Sequence, residues 1–241
     1  MPFTLSHPAA VLPLRRLGLP MTALAIGSMV PDVPLFLGWS RGYQVTHGLV
    51  GVVTVDPLLA VLVIAFWFGL VRDVLVELSP DVVRSRLAPH VRWTTRLWLL
   101  APVAAALGAL THVVWDTFTH PGRWGADQIG WLHTEHAGLG GAKWAQYASG
   151  IVGLAIVTWS VVAHLRASVP ISSPAPRSRW ASLVVATIVA SGAVAGLVTA
   201  LAHAPGLHAM AFNAAVNGII AVVVSTTAVC VVWRAVRPSP G

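Results

Sequence analysis

Long runs of apolar residues dominate the chain and set its fold class. A membrane-spanning helix needs about 20 consecutive apolar residues. Four runs meet that length: Gly48 to Val71, Leu97 to Thr119, Ala181 to Ala202 and Ala211 to Trp233. A fifth run, Gln146 to Leu165, is also long enough. The pattern predicts an all-α polytopic membrane protein with about five to six transmembrane helices.

A sixth apolar run, Leu19 to Gly38, is interrupted by Pro31, Asp32 and Pro34. Proline inside a helix removes a backbone hydrogen bond and kinks the helix. Irregular backbone at membrane depth is tolerated only where protein covers it or where it lines a wet cavity. This N-terminal segment is therefore predicted to be either a kinked span or a re-entrant pair of short helices.

The only break in composition is a stretch rich in Pro and Ser, from Ser168 to Arg179. Such a stretch is typical of a linker. We therefore divide the chain into a membrane domain at residues 1–165, which carries the polar motifs described below, a cytoplasmic linker at 166–180, and a C-terminal pair of transmembrane helices at 181–241.

Composition excludes a soluble protein and argues against a nucleic-acid-binding one. The chain has 241 residues, of which 56% are hydrophobic and 10% are charged, whereas an average soluble domain carries about 25% charged residues. The balance is basic, with 15 Lys+Arg against 8 Asp+Glu. The Arg residues lie at the ends of the apolar runs and form no patch interleaved with aromatic residues, so we expect no nucleic-acid partner.

The basic residues also predict an orientation, because cytoplasmic loops carry an excess of Lys and Arg. With six spans and a cytoplasmic N-terminus, the outer segments hold only Arg41, Arg123 and Lys143, and the other twelve basic residues fall inside. Both termini are then cytoplasmic. The heavy use of Ala, Val, Gly and Arg suggests a GC-rich bacterium, and hence the bacterial cytoplasmic membrane.

The richest polar motif lies at the end of one predicted span. In THVVWDTFTHPG, His112, Asp116 and His120 are spaced at i, i+4 and i+8, so they lie on nearly one face of a helix. A His and an Asp one turn apart can both ligate a divalent metal from one rigid element, which is the logic of the HExxH zinc helix. The alternative is a hydrogen-bonded pair that packs two spans together.

Three further polar residues precede this motif. They are His7 in LSHPAA, Asp32 in GSMVPDVP and His47 in VTHGLVG. In the predicted orientation Asp32, His47 and the face carrying His112 all lie toward the outer side, which favours a metal site. His7 fits this arrangement only if residues 19–38 re-enter rather than cross.

The predicted outer loop contributes a second, weaker group of candidates, His133, Glu135 and His136 in WLHTEHAG. They could supply a general base, although a solvated loop explains the same spacing. Glu135 and His120 are the two candidates for the base, and the sequence does not separate them.

Five segments together resemble a bacterial family of multi-pass membrane proteins of unknown function: PFTLSHPA, GSMVPDVP, THGLVGVVTVDP, THVVWDTFTHPG and QYASGIVGL. The resemblance covers about residues 1–165. This family is similar to inner-membrane metal-dependent hydrolases and, more distantly, to zinc-dependent phospholipase C. The phospholipase pattern continues with a His-x3-Glu pair, which no Glu after His133 or His136 completes.

The resemblance implies a ligand set. Asp32, His47, His112 and Asp116 would surround one zinc, His7 would sit beside Asp116 at a second, and His120 matches a further His of the pattern. Without the resemblance, the donor types suit zinc but also manganese or iron.

Three functions follow as hypotheses. The leading one is a metal-dependent, zinc-favoured hydrolase acting on a phosphoester, such as a phospholipid or a lipid-linked phosphate, near the outer face of the membrane. The second is a transporter or proton-coupled carrier, since intramembrane His and Asp residues also build proton relays. The third is a structural membrane protein without catalysis.

Overall fold

The computed structural model describes residues 4–171, 177–202 and 206–236. The N-terminal part is a series of short helices, joined by 3₁₀ turns at Thr4–Ser6, Leu12–Leu17 and Val30–Asp32. The short α-helices are α1 (Pro8–Val11), α2 (Met21–Gly27), α3 (Val33–Phe36), α4 (Ser40–Thr46) and α5 (Leu49–Val53).

Longer helices follow. Helix α6 (Val55–Phe66) continues through a π-helical turn (Trp67–Val71) into α7 (Arg72–Leu78), and a short α8 (Asp81–Arg84) leads to the next connection. The remaining long helices are α9 (Thr95–Thr119), α12 (Gly141–Ala167), α13 (Ala181–Ala202) and α14 (Leu207–Val236).

The connection between α9 and α12 has its own structure. It contains two one-turn helices, α10 (Trp124–Asp127) and α11 (Gly130–His133), and then a hairpin of β1 (Glu135–His136) with β2 (Leu139–Gly140). The two residues of the hairpin turn, Ala137 and Gly138, both have positive φ, which is the geometry of a tight primed turn.

Five helical segments among the described residues are long and apolar enough to cross a membrane, and they confirm the predicted fold class. They are Val55–Leu78, Thr95–Asp127, Gly141–Ala167, Ala181–Ala202 and Ala209–Val236. Many of their apolar side chains face outward, as Leu99, Trp159 and Leu201 do with 70% or more of their surface exposed. In water such exposure would be costly, whereas in lipid it costs nothing.

The sixth predicted run is not a continuous helix. Pro31 and Pro34 fall in the 3₁₀ turn and at the start of α3, where a missing N–H is tolerated. The chain leaves His7, turns at Gly18 with φ +70°, and returns through α2 to Asp32. His7, Asp32 and His47 lie together (next section), so this segment starts and ends at one place, which favours re-entry over a span.

Two compact units make up the described chain. Of the described residues, the first comprises 4–64 and 93–162, and the second comprises 65–92, 163–171, 177–202 and 206–236. Inside the second unit, Val71, Val74, Leu78, Ala181 and Cys230 form a buried core. Inside the first, α2 packs along α9. The predicted division at 166–180 stays a prediction.

The backbones of α2 and α9 are in contact, and this contact positions polar side chains of the first unit. A Cβ on Gly27 would stand 2.3 Å from the carbonyl oxygen of Ala105, and one on Gly108 would stand 2.2 Å from that of Leu24. Both distances are much shorter than a van der Waals contact, so only glycine allows the two helices to approach this closely. It brings Ser28, at the end of α2, within hydrogen-bond distance of His112 on α9.

Gly108→Ala should therefore lower the melting temperature of the detergent-purified protein. Separating the two helices, or straining them, costs about 1–3 kcal/mol. Gly130→Ala is the matched control, since nothing lies within 4 Å of a Cβ at that position. Equal melting temperatures for the two variants would show that the close approach is not required.

Candidate metal centre

Four acidic and imidazole side chains converge inside the first unit, and we call them the central cluster: Asp32, His47, His112 and Asp116. Asp32 ends the 3₁₀ turn after α2, and His47 directly follows α4. Asp116 and His112 are one turn apart on α9. Each is buried, with at most 6% of its surface exposed.

The four side chains present one atom each to a common point. His47 Nε2 lies 3.7 Å from Asp32 Oδ1 and 3.6 Å from Asp116 Oδ2. His112 Nε2 lies 3.6 Å from Asp32 Oδ1 and 3.5 Å from Asp116 Oδ2. The four nitrogen-to-oxygen distances are thus nearly equal.

These distances match a metal site better than a hydrogen-bonded cluster. Charge-assisted N–H···O bonds are shorter, about 2.7–2.9 Å. In a tetrahedral site with bonds of about 2.0–2.1 Å, neighbouring ligand atoms stand about 3.4 Å apart. The nitrogen-to-oxygen distances are therefore those of neighbouring ligands, and His47, His112 and Asp116 lie close enough together to hold one ion.

Three of these inward-facing atoms have no hydrogen-bond partner among the described residues. They are Asp32 Oδ1, His47 Nε2 and His112 Nε2, all fully buried. A buried polar group without a partner costs about 1–3 kcal/mol, so three at one point call for a ligand. The set His47, His112 and Asp116 satisfies the ligand spacing of a metal site.

The opposite side of each of these side chains is held in place. Thr4 Oγ1 donates to Asp32 Oδ2 at 2.5 Å. Nδ1 of His47 is 2.9 Å from the carbonyl oxygen of Tyr43, and Nδ1 of His112 is 2.8 Å from that of Ser28. A carbonyl can only accept, so each Nδ1 carries a hydrogen, and in the neutral imidazole each Nε2 then presents a lone pair inward. Metal-binding histidines are oriented in this way.

His7 lies beside the central cluster. Its ring stacks on that of His112 with centroids 3.8 Å apart, and its Nε2 is 3.9 Å from Asp116 Oδ1. Burial lowers the pKa of His7 to about 3. His7 is therefore neutral at physiological pH, as a metal ligand must be. With Asp32 and His112 it forms a second group of metal-ligand spacing.

His120 takes a different position from the other predicted ligands. Its Nδ1 is 3.5 Å from Asp116 Oδ2, and its Nε2 is 3.0 Å from the side-chain nitrogen of Gln146. It belongs to neither of the two groups of metal-ligand spacing found among the described residues. It lies next to the central cluster, on the side of α12.

The structure does not bring the residues of the outer loop to the central cluster. Glu135 is exposed on the β-hairpin. His133 is exposed and lies 3.8 Å from Asp127, and His136 stacks on Trp131. Glu135 stays a predicted general base, but it does not line the cavity described next.

A small cavity opens from the central cluster toward α12. Its lining includes His7, Asp32, Asp116, His120 and Gln146. The volume open to the centre of a water molecule is about 20 Å³, which is enough for about one water. A water held there would lie beside the carboxylates of the cluster.

The residues that position the cluster were absent from the candidates read off the sequence. Thr4 acts through its side chain, whereas Ser28 and Tyr43 act through backbone carbonyls. Every residue has a backbone carbonyl, so the residue type does not indicate such a contact. Thr4 does stand in the same motif as His7, three positions before it, and Gln146 opens the motif QYASGIVGL.

A comparison with protein-family models assigns the chain to a family. The model described as Domain of unknown function (DUF4184) matches residues 1–232, and the chain belongs to that family. This match confirms the predicted membership in a family of unknown function, while the likeness to metal-dependent hydrolases stays a prediction. No curated protein and no solved structure matches.

Thr4→Val should weaken zinc binding about 10- to 100-fold, the usual cost of removing a residue that orients a metal ligand. Thr4→Ser should restore the affinity because it keeps the hydroxyl that donates to Asp32. Zinc titration of the purified variants measures this. Thr117→Val is the control, since Thr117 donates only to a backbone carbonyl of its own helix; an equal loss in that variant would contradict the assignment.

Proposed function

We propose that this member of the DUF4184 family is a membrane-embedded, metal-dependent hydrolase, with zinc as the favoured metal and a phosphoester as its substrate. The observation that carries the proposal is the central cluster, whose two imidazole nitrogens and two carboxylate oxygens are spaced at 3.5–3.7 Å. Zinc prefers His and Asp donors in a tetrahedral arrangement.

Zinc at this point would lower the pKa of a bound water to about 7 and polarise a phosphoryl oxygen. The residues supply the rest. The ion would be bound by Asp32, His47, His112 and Asp116. His7 lines one side of the cavity. The water-sized space beside Asp116 and His120 is where a nucleophile would be held.

Cationic side chains near the cluster support an anionic substrate. Burial raises the pKa of Tyr43 and the carboxylates of Asp32 and Asp116 raise it further, whereas the positive charge of Arg123 lowers it. Tyr43 itself stacks on His47 with centroids 3.8 Å apart. Arg123 is therefore close enough to Tyr43 to act on it electrostatically, and a guanidinium suits a phosphate.

Loop charges favour the outer face of the membrane. Among the connections between the five long helical segments, residues 79–94 contain three Arg and residues 168–180 contain two, whereas residues 128–140 contain no Arg or Lys. The central cluster lies toward the end of α9 that leads into 128–140. By the positive-inside rule, that end faces away from the cytoplasm, where lipid-linked phosphates would reach it.

One buried residue favours a proton-coupled carrier as the second candidate. Asp56, near the start of α6, is fully buried, and neither of its carboxylate oxygens has a hydrogen-bond partner among the described residues. A carboxyl group inside a membrane and outside the central cluster is typical of a proton relay. The hydrolase remains the better-supported function because Asp32 Oδ1, His47 Nε2 and His112 Nε2 face one another without hydrogen bonds, whereas a proton relay runs along hydrogen bonds.

Metal content separates the two candidates. Elemental analysis of the detergent-purified wild type should give about one or more equivalents of zinc, and His112→Ala and Asp116→Ala should both lose it, since each removes one of the four ligands. His133→Ala should keep it, because His133 is exposed on the loop. A folded wild type that takes up no metal from added zinc would refute the hydrolase and leave the carrier.

The substrate class is tested with the zinc-loaded protein in mixed micelles containing phosphatidic acid, and with p-nitrophenyl phosphate as a soluble phosphoester. We expect phosphate release that Asp116→Asn abolishes. Arg123→Ala should raise KM about 10-fold with little change in kcat, as for a residue that binds the phosphate in both ground and transition states. Arg92→Ala, at an exposed position, should match wild type. Zinc-loaded wild type that cleaves neither ester would exclude this substrate class.

A further inference from the structure

We infer that Gln146, oriented by Lys143, is a positioning residue that fixes the tautomer of His120 and so directs the Nδ1–H of His120 toward Asp116. The inference rests on the proposed function only in treating Asp116 as a metal ligand. It gives His120 a role different from the ligand and base roles predicted from the sequence.

The orientation of the Gln146 amide is set by its neighbour on α12. Lys143 Nζ lies 3.1 Å from Gln146 Oε1, and an ammonium group can only donate. The amide oxygen must therefore face Lys143. These residues are three apart on a 27-residue helix, so they share a face of a rigid element.

The amide nitrogen is consequently the atom that faces His120. Gln146 Nε2 is 3.0 Å from His120 Nε2, and an NH₂ group has no acceptor capacity. The imidazole nitrogen must then accept this hydrogen bond. In a neutral imidazole one nitrogen accepts and the other carries the hydrogen, so the hydrogen of His120 is on Nδ1.

That hydrogen points toward the metal ligand. His120 Nδ1 is 3.5 Å from Asp116 Oδ2 and 3.3 Å from the backbone oxygen of Asp116. His47 and His112 show the reverse arrangement, in which Nδ1–H is directed at a backbone carbonyl and Nε2 faces the cluster. His120 thus offers the cluster a donor, whereas the other two offer lone pairs.

The consequence is that His120 acts on the centre through Asp116. Its Nδ1–H bonds the backbone oxygen of Asp116, which fixes the last turn of α9 that carries this ligand, and it adds positive potential 3.5 Å from Oδ2. Residues that orient a ligand in this way are worth about 10- to 100-fold in metal affinity. Gln146 is buried, with 4% of its surface exposed, and both ends of its amide are satisfied, which a buried amide requires.

The direct test is the tautomer of His120, read from imidazole nitrogen chemical shifts of the full-length, histidine-labelled protein in detergent. His120→Gln identifies the resonance by its loss. We expect the Nδ1–H tautomer in wild type. In Gln146→Glu a carboxylate replaces the donor, so His120 should become protonated on Nε2, and zinc affinity should fall about 10- to 100-fold. Gln128→Glu, at an exposed loop position, should change neither.

Lys143→Met provides a second variant that leaves Gln146 in place. Without the ammonium group the amide is free to turn over, so part of the His120 population should shift to the Nε2–H tautomer. An Nε2–H tautomer in wild type, or an unchanged tautomer in both Gln146→Glu and Lys143→Met, would overturn the inference. Because the shifts are measured in metal-free protein, a failure of the proposed zinc binding would be seen separately.

Discussion

Burial of polar atoms that face one another without hydrogen bonds is the constraint on which the first unit depends. Asp32 Oδ1, His47 Nε2 and His112 Nε2 are removed from water in a part of the chain that is otherwise apolar, and each lacks a partner among the described residues. Such an arrangement is costly, and a positive charge between the atoms offsets the cost. A metal ion meets that requirement with the donor types present.

The surrounding fold keeps those atoms aimed at one point. The two histidines are each tied by Nδ1 to a backbone carbonyl, and Asp32 is tied by one oxygen to Thr4. These carbonyls stand where they do because α2 and α9 touch backbone to backbone at Gly27 and Gly108. Close helix packing and metal-ligand geometry are therefore two aspects of the same structure, and disturbing the first disturbs the second.

The side chains at the central cluster differ in the groups that they present to it. Two imidazoles present lone pairs and two carboxylates present oxygens, whereas His120 presents a hydrogen because Gln146 occupies its other nitrogen. The hairpin with Glu135 lies on the exposed connection, away from the residues that line the cavity.

The sequence by itself determined the elements whose signals are local. Apolar length predicted the five long helices, proline positions predicted the break in residues 19–38, and the spacing of His112 and Asp116 placed both on one face of α9. Only the tertiary structure decided which polar residues meet. Their contacts join distant segments, such as those of His7 and Asp116, and they depend on backbone carbonyls of Ser28 and Tyr43, which residue type does not encode. The tautomer of His120 likewise depends on the tertiary structure, because it is set by Gln146 on α12, a helix that begins more than 20 residues after His120.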